Sequence, residues 1–302
     1  MEFKKFASLE NTYKEKVIDH IRLNHGKGYW WVSEKIDGAN FSIWMNAQET
    51  KFASRNQWVD SNFYGAEKAI LDTASKMQEL FKAHNLSEFV VYGELYGEGI
   101  QKRINYGGKK FAAFDIVVNG EHLSFYEMEC VCNTYDIDMV PVIGVGFTLD
   151  QALDQQEVFN SYLSPTRDEA EGISIAPIVP TWSGNGSRVW LKKKSPRFSE
   201  KSVSKRPKPI TQLEDSDLEV LNGLLEYVND NRVLSAISKH GTVTSKDFGK
   251  ILGMVMQDIF DEAASDGFGV SQAKELDNWK GISKALQKEV QDCVRETFVR
   301  VI

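Results

Sequence analysis

The sequence predicts an α+β protein built in two parts, a mixed domain of roughly 200 residues and a smaller all-helical domain behind it. Three observations predict this. Short runs rich in β-branched and aromatic residues recur through the first 200 residues, each bounded by Gly, Asn, Pro or charged side chains. From residue 210 onward only helical periodicity remains. Between them, 195–209 is polar and basic and carries Pro196, Pro207 and Pro209, which reads as an exposed connection. The expected boundaries are 1–200, a basic linker at 201–209, and 210–302.

In chain order, the strand-like runs are Tyr29-Trp-Trp-Val, Asn40-Phe-Ser-Ile-Trp, Phe89-Val-Val-Tyr, Phe111-Ala-Ala-Phe-Asp-Ile-Val-Val, Gly172-Ile-Ser-Ile-Ala and Arg188-Val-Trp-Leu. Between the second and third, 63–84 places Ala69/Ile70, Ala74, Met77 and Leu80/Phe81 on one helical face. In the tail, 217–228 aligns Leu218, Leu221, Leu224/Leu225 and Val228. Residues 247–264 align Phe248, Ile251/Leu252, Val255 and Ile259. Residues 282–301 align Leu286, Val290, Cys293/Val294, Thr297/Phe298 and Val301.

Composition narrows the function classes. The chain has 302 residues, 42% hydrophobic and 26% charged, which excludes a disordered chain or a fibrous rod and is enough for a core without staples. Three cysteines exclude a disulfide scaffold and suit a reducing, cytoplasmic setting. No run of 18 apolar residues is present, so no membrane span is expected, and the N-terminus has no leader-like apolar stretch. The net charge of −7 argues at first against a nucleic-acid partner. Locally the balance reverses: residues 188–208 hold nine Lys/Arg against Glu200, a net +8, leaving −15 on the remainder. A basic strip of that kind can meet phosphates that the average charge would repel.

The sharpest chemical feature is Ser33-Glu34-Lys35-Ile36-Asp37-Gly38-Ala39-Asn40, a lysine between a strand-like run and a glycine turn. A lysine amine is nucleophilic only when neutral, which partial desolvation or neighbouring cations favour. Attack on the α-phosphate of a nucleotide would give a lysyl–nucleotide phosphoramidate. That chemistry needs partners for phosphate, metal and base, and candidates follow in order. Arg55 ends Phe52-Ala-Ser-Arg. Glu94 lies in Val91-Tyr-Gly-Glu-Leu-Tyr-Gly and Phe114 in Phe111-Ala-Ala-Phe-Asp-Ile. Glu171 opens Glu171-Gly-Ile-Ser-Ile. Lys192 and Lys194 end Val189-Trp-Leu-Lys-Lys-Lys, two apart and therefore on one strand face.

This ordered set resembles the covalent nucleotidyltransferase superfamily of polynucleotide ligases and capping enzymes. Within it the chain is similar to the RNA ligase 2 family of double-stranded RNA ligases, whose type member comes from a T-even bacteriophage. The likeness extends to Lys5-Phe-Ala-Ser-Leu-Glu-Asn11, Gly93-Glu-Leu-Tyr-Gly-Glu-Gly-Ile-Gln-Lys102, Cys132-Asn-Thr134, Ser195-Pro-Arg-Phe-Ser-Glu-Lys201, Lys246-Asp-Phe-Gly-Lys250 and Val255-Met-Gln-Asp-Ile259. The resemblance implies a nucleotidyltransferase fold of antiparallel sheets with flanking helices, of DNA-ligase or ATP-grasp-like type, followed by a helical domain.

The resemblance also implies roles. Lys35 takes AMP from ATP; Glu34 and Asn40 flank the nucleotide; Arg55 contacts ribose or phosphate. Glu94 contacts ribose or metal, Phe114 stacks on adenine, and Glu171 helps hold Mg²⁺ or Mn²⁺. Lys192 and Lys194 contact the α-phosphate. In the tail, Arg232, Asp258 and Glu262 act once the RNA is engaged. Three departures stand out. Asp37 occupies a place where type members often carry His, although Asp fits the wider superfamily pattern; Ala176 occupies one where many relatives carry Lys; and the segment 150–171 is short.

The expected activity is an ATP-dependent RNA ligase that joins 3′-OH and 5′-phosphate ends at nicks in duplex RNA or an RNA-containing duplex, acting in RNA repair. A monomer is expected, in the cytoplasm (the host's, for a viral source). Two rivals remain: a DNA nick ligase, and a catalytically silent RNA-binding protein on the same fold. The helical tail weighs against the first, because DNA ligases and capping enzymes place an oligonucleotide-binding β-barrel there. The five histidines show no metal spacing, Cys130-Val-Cys132 is too close for a zinc half-site, and no P-loop or dinucleotide glycine fingerprint occurs.

Overall fold

The β-branched and aromatic runs pair into two sheets in the computed structural model of the chain, which describes residues 1–184, 186–199, 215–276 and 278–301. The chain divides into two compact units, Met1–Arg197 and Phe198–Ile302. The linker expected at 201–209, and with it the distal part of the basic strip, lies outside the described residues.

The first unit runs β1 (Glu10–Asn11), α1 (Glu15–His25), β2 (Trp30–Lys35), β3 (Ala39–Asn46), β4 (Thr50–Ser54), β5 (Trp58–Val59), α2 (Glu67–Ala83), β6 (Glu88–Tyr96), β7 (Lys110–Val118), β8 (Glu121–His122), α3 (Phe125–Thr134), β9 (Val142–Phe147), α4 (Leu149–Leu153), β10 (Gly172–Pro177) and β11 (Leu191–Lys194). One sheet has the order β1-β11-β10-β2-β9, antiparallel except for the parallel β1–β11 pair. The other has the order β5-β4-β3-β6-β7-β8 and is antiparallel throughout.

Strand alternation then assigns faces. Trp30, Val32, Ile173, Ile175 and Leu191 bury one face of the first sheet together with Ile18 and Ile21 of α1 and Leu149 and Ala152 of α4. The opposite face carries Trp31, Ser33 and Lys35, and it meets an aromatic cluster that includes residues of the second sheet. Trp190 lies 5.8 Å from Phe114, and Phe6 bridges Tyr92, Phe114 and Trp190 at 5.0–5.5 Å. The chain passes from the first sheet to the second through only Ile36-Asp37-Gly38, between the end of β2 and the start of β3.

Differences from the sequence reading have local causes. The helix expected over 63–84 begins at Glu67, because Tyr64 (φ 55°) and Gly65 (φ 64°) take left-handed conformations that a right-handed helix cannot continue. The last strand of the unit is displaced toward the lysines. Arg188 turns its buried guanidinium to Asp115 at 3.3 Å, and pairing with β10 starts at Leu191. Helices α3 and α4 are short and escape periodicity, yet each opens on a capping box, Ser124 with Glu127 and Thr148 with Gln151.

The second unit holds α5 (Asp215–Leu225), α6 (Asp230–His240), α7 (Phe248–Ser265), α8 (Val270–Lys274) and α9 (Trp279–Val301), with no strand among its described residues. Leu221, Leu224, Val233, Ile251, Val255, Ile259, Leu286, Val290 and Val294 form its core. The apolar stripes of 217–228, 247–264 and 282–301 therefore face one another. Helix α6 was not evident from periodicity; Asn229 caps it by accepting from the Arg232 amide. No described helix is long and apolar enough to cross a membrane.

Candidate active site

Three adjacent strands of the first sheet end at one place. Lys35 closes β2, Gly172 opens β10 and Lys194 closes β11, and the register sets Gly172 opposite both Lys35 and Lys194. The carboxylate just before that glycine, Glu171, is gripped from both sides. Lys35 Nζ donates to Oε2 at 2.6 Å, and Lys194 Nζ pairs with Oε1 at 2.8 Å. Burial alone would push the Glu171 carboxyl up. Lys194, Lys35 and Arg103 overcome it and hold the group down at about 2, so Glu171 is a fixed anion.

The close fit depends on glycine. Gly172 sits at φ 146°, and a Cβ there would lie 2.1 Å from the Lys193 carbonyl oxygen. Gly172→Ala is therefore expected to force β10 and β11 apart and separate Glu171 from Lys194. The strain costs about 1–3 kcal/mol of stability. Thermal unfolding measures that loss.

Glu94 reaches the same place from the second sheet. It lies on β6 opposite Asn40 of β3, just beyond the Lys35 turn. Gly38 lets that turn press against β6, since a Cβ there would meet the Leu95 carbonyl at 2.4 Å and the Glu94 side chain at 2.9 Å. Burial raises the Glu94 carboxyl to about 8, against the pull of Lys35; Glu171 and Asp37 add to the rise and Arg55 opposes it. Arg55 itself is held by Ser8 Oγ at 2.9 Å. Phe114 is half-buried and presents its ring to Phe6 and Trp190.

The pattern of lysines follows the pleat. Lys192 pairs with Ser174 across β10 and shares a face with Lys194, whereas Lys193 points the other way, to Glu157 and the carbonyls of Leu153 and Gln155. So Lys35, Asn40, Arg55, Glu94, Phe114, Glu171, Lys192 and Lys194 all lie around the junction of the two sheets.

Glu34 does not join them through its side chain. It lies on the opposite face of β2 from Lys35, 1% exposed, accepting from Ser161 Oγ at 2.5 Å and the Tyr162 amide at 2.9 Å. Burial keeps its carboxyl above the usual range in spite of those donors. The sequence reading also missed Arg103, whose guanidinium pairs with Asp37 at 2.6 Å. No local pattern marks that loop residue.

The three tail candidates sit in the second unit and are already engaged with their neighbours. Arg232 is 1% exposed, pairs with Asp258 and donates to the Tyr227 carbonyl at 3.0 Å. Asp258 also receives Lys239 at 3.0 Å. Glu262 lies one helical turn beyond Asp258 on α7. Arg232 thus ties α6 to α7, which is reason enough for a buried arginine.

Among the described residues no cluster of three or more His, Cys, Asp or Glu side chains is placed to hold a metal by itself. A separate groove of about 770 Å³ beside α2 mixes Lys68, Lys76, Lys109 and Lys110 with Asp72, Glu98 and Asp138, and it contains none of the candidates.

Comparison with known proteins adds the following. A family model described as RNA ligase matches residues 28–194, and one described as T4 RNA ligase 2 C-terminal matches residues 211–292. The solved RNA ligase of Naegleria gruberi, a mutant form with ATP and Mn, has a TM-score of 0.53 at 18% identity, covering 66% of this chain and 58% of that one. The same ligase with PPi gives 0.52 at 20% identity, with the same coverage. Protein Early 65 kDa of Autographa californica nuclear polyhedrosis virus is 30% identical over 122 residues, 36% of this chain and 22% of that protein. The chain thus spans less than two thirds of the length of these relatives, and the structural likeness is one of fold.

Proposed function

The chain belongs to the RNA ligase family, with a C-terminal part of the RNA ligase 2 type, and from that membership we propose that it is an ATP-dependent RNA ligase working through a lysyl-AMP intermediate. The observation that carries the reading is the Lys35 amine held at 2.6 Å by a buried carboxylate that Lys194 also grips, at the junction of the two sheets.

In the first step Lys35, ion-paired with Glu171 beforehand, loses one proton to solvent, and the neutral amine then attacks the α-phosphorus of ATP. An N–P bond forms, the P–O bond to pyrophosphate breaks, and the amine gives up a second proton to solvent. Lys192 and Lys194, fixed on one strand face, receive the charge that builds on the phosphate oxygens. Phe114 and Asn40 line the nucleotide, Arg55 reaches ribose or phosphate, and Glu34 shapes the wall through the loop it holds. In the second step AMP passes to an RNA 5′-phosphate. In the third the 3′-OH attacks that phosphate and AMP departs.

The residues present suit a divalent cation. Glu94 is a partly buried carboxyl whose desolvation outweighs the pull of Lys35 and Arg55, and Mg²⁺ typically takes one or two carboxylates with the rest of its shell from phosphate and water. Glu94 and Glu171 would hold it. When bound, Mg²⁺ or Mn²⁺ offsets charge on the reacting phosphates.

The preferred substrate is a nick in duplex RNA or an RNA-containing duplex. The second unit, helical throughout its described elements, supports an RNA ligase 2 type enzyme over a DNA ligase carrying a β-barrel. The test is incubation with α-labelled ATP, followed by a chase with nicked RNA, nicked DNA and single strands. Label should enter the protein, then move to the 5′-phosphate of the RNA nick and be released as AMP on sealing. Equal sealing of an all-DNA nick would favour the DNA-ligase reading. A folded protein with no adduct would favour a silent RNA-binding protein.

A further inference from the structure

We propose that Arg103 is a positioning residue for the covalent step, aiming Lys35 through a two-point grip on Asp37; this rests on the lysyl-AMP reading above. Arg103 lies in the loop between β6 and β7. Its Nε donates to Asp37 Oδ2 at 3.0 Å and its Nη2 to Oδ1 at 2.6 Å, a parallel fork that fixes the carboxylate in direction as well as distance. Three residues further along the same loop, the Tyr106 hydroxyl accepts the backbone amide of Asp37 at 3.0 Å. The loop therefore holds Asp37 by side chain and main chain at once.

Asp37 is the middle residue of the three that connect β2 to β3, and it lies two residues from Lys35. With β2 pinned by its sheet and Gly38 pressed against β6, a shift of Asp37 has few ways to be absorbed except through the Lys35 end of the turn. The loop is itself anchored. Arg197 donates to the Arg103 carbonyl at 3.0 Å, the Asn105 amide donates to Asp168 at 2.8 Å, and the Tyr106 ring packs on Tyr96 at 5.2 Å. Asp168 belongs to the loop whose Ser161 and Tyr162 hold Glu34. One bonded network thus supports the residues on both sides of Lys35.

The pairing also sorts charge. Asp37 is 3% exposed, so its carboxylate needs a partner. Without Arg103 it would turn to the nearest cations, and Lys35 is among those it feels. Arg103 thus keeps Lys35 directed at Glu171 and keeps Asp37 out of the phosphate site.

The experiment measures the rate of lysyl-AMP formation against ATP concentration in the full chain. It compares the parent, Arg103→Lys, Arg103→Met, Asp37→Asn and the double substitution, with thermal unfolding of each. Small misplacements of an attacking atom cost rate rather than affinity. The maximal rate should therefore fall about tenfold or more in Arg103→Met, with the KM for ATP nearly unchanged and partial recovery in Arg103→Lys. Because both residues act through one contact, the double substitution should be no slower than the worse single one.

Losses that multiply in the double variant, or a raised KM at full maximal rate, would mean that Arg103 meets the nucleotide directly and would overturn the proposal. So would unchanged kinetics, or a loss that only tracks the folded fraction. If the parent protein itself forms no adduct, the ligase reading fails first and takes this inference with it.

Discussion

Replacing Lys35 with alanine is expected to lower labelling by α-labelled ATP by at least about a thousandfold, since the variant lacks the only atom that forms the N–P bond. The change should be selective. Sealing of RNA that already carries a 5′-adenylate does not use the amine and should persist within a few-fold of the parent. Folding should also survive. Lys35 is partly exposed at a strand end, and its loss leaves Glu171 with Lys194 at 2.8 Å. Labelling retained in Lys35→Ala would sink the assignment of the nucleophile. Loss of both reactions with an intact unfolding transition would mean that Lys35 also serves the later steps.

Removal of residues 210–302 should give the complementary result, with lysine labelling retained and nick sealing lost. Each unit has its own hydrophobic core, around Trp30, Ile173 and Leu191 in the first and around Leu221, Val255 and Leu286 in the second. The first unit should therefore fold alone. Every residue placed around Lys35 belongs to it, so the covalent step needs nothing from the tail. The nick itself is a large substrate, and the RNA ligase 2 type of C-terminal part is the natural place for its recognition. Normal sealing by the truncated chain, measured on a nicked RNA duplex, would remove the role given to the tail. Loss of labelling would show instead that the adenylylating unit depends on it.

The legible parts of the fold were those with strong, uninterrupted patterns. The runs at 29–32, 89–92 and 111–118 and the tail stripes are apolar at the spacing their elements require, so they emerged as β2, β6, β7 and the packed faces of α5, α7 and α9. Helix α1 contributes only Ile18 and Ile21 to the core, and α3 and α4 are too short for periodicity to register. Their capping boxes were the better signal. The strand at Arg188 reads three residues early because Val189, Trp190 and Leu191 are all buried, Trp190 on the aromatic cluster and Val189 and Leu191 in the core with α1 and α4, whereas pairing with β10 starts at Leu191 and continues through the lysines.

The order of chemical residue types along the chain, Lys35, Arg55, Glu94, Phe114, Glu171, Lys192 and Lys194, was set by the sequence, and so was the alternation that puts Lys192 and Lys194 on one strand face. Those are local properties, fixed by identity and by a period of two. Only the tertiary structure decided how the charges pair. It gave Glu171 to two lysines 136 and 23 positions away, buried Glu34 against Ser161, and brought Arg103 to Asp37. Charge partners are chosen by distance and burial in three dimensions, and strand register sets those distances to within an ångström while the sequence spacing says nothing of them.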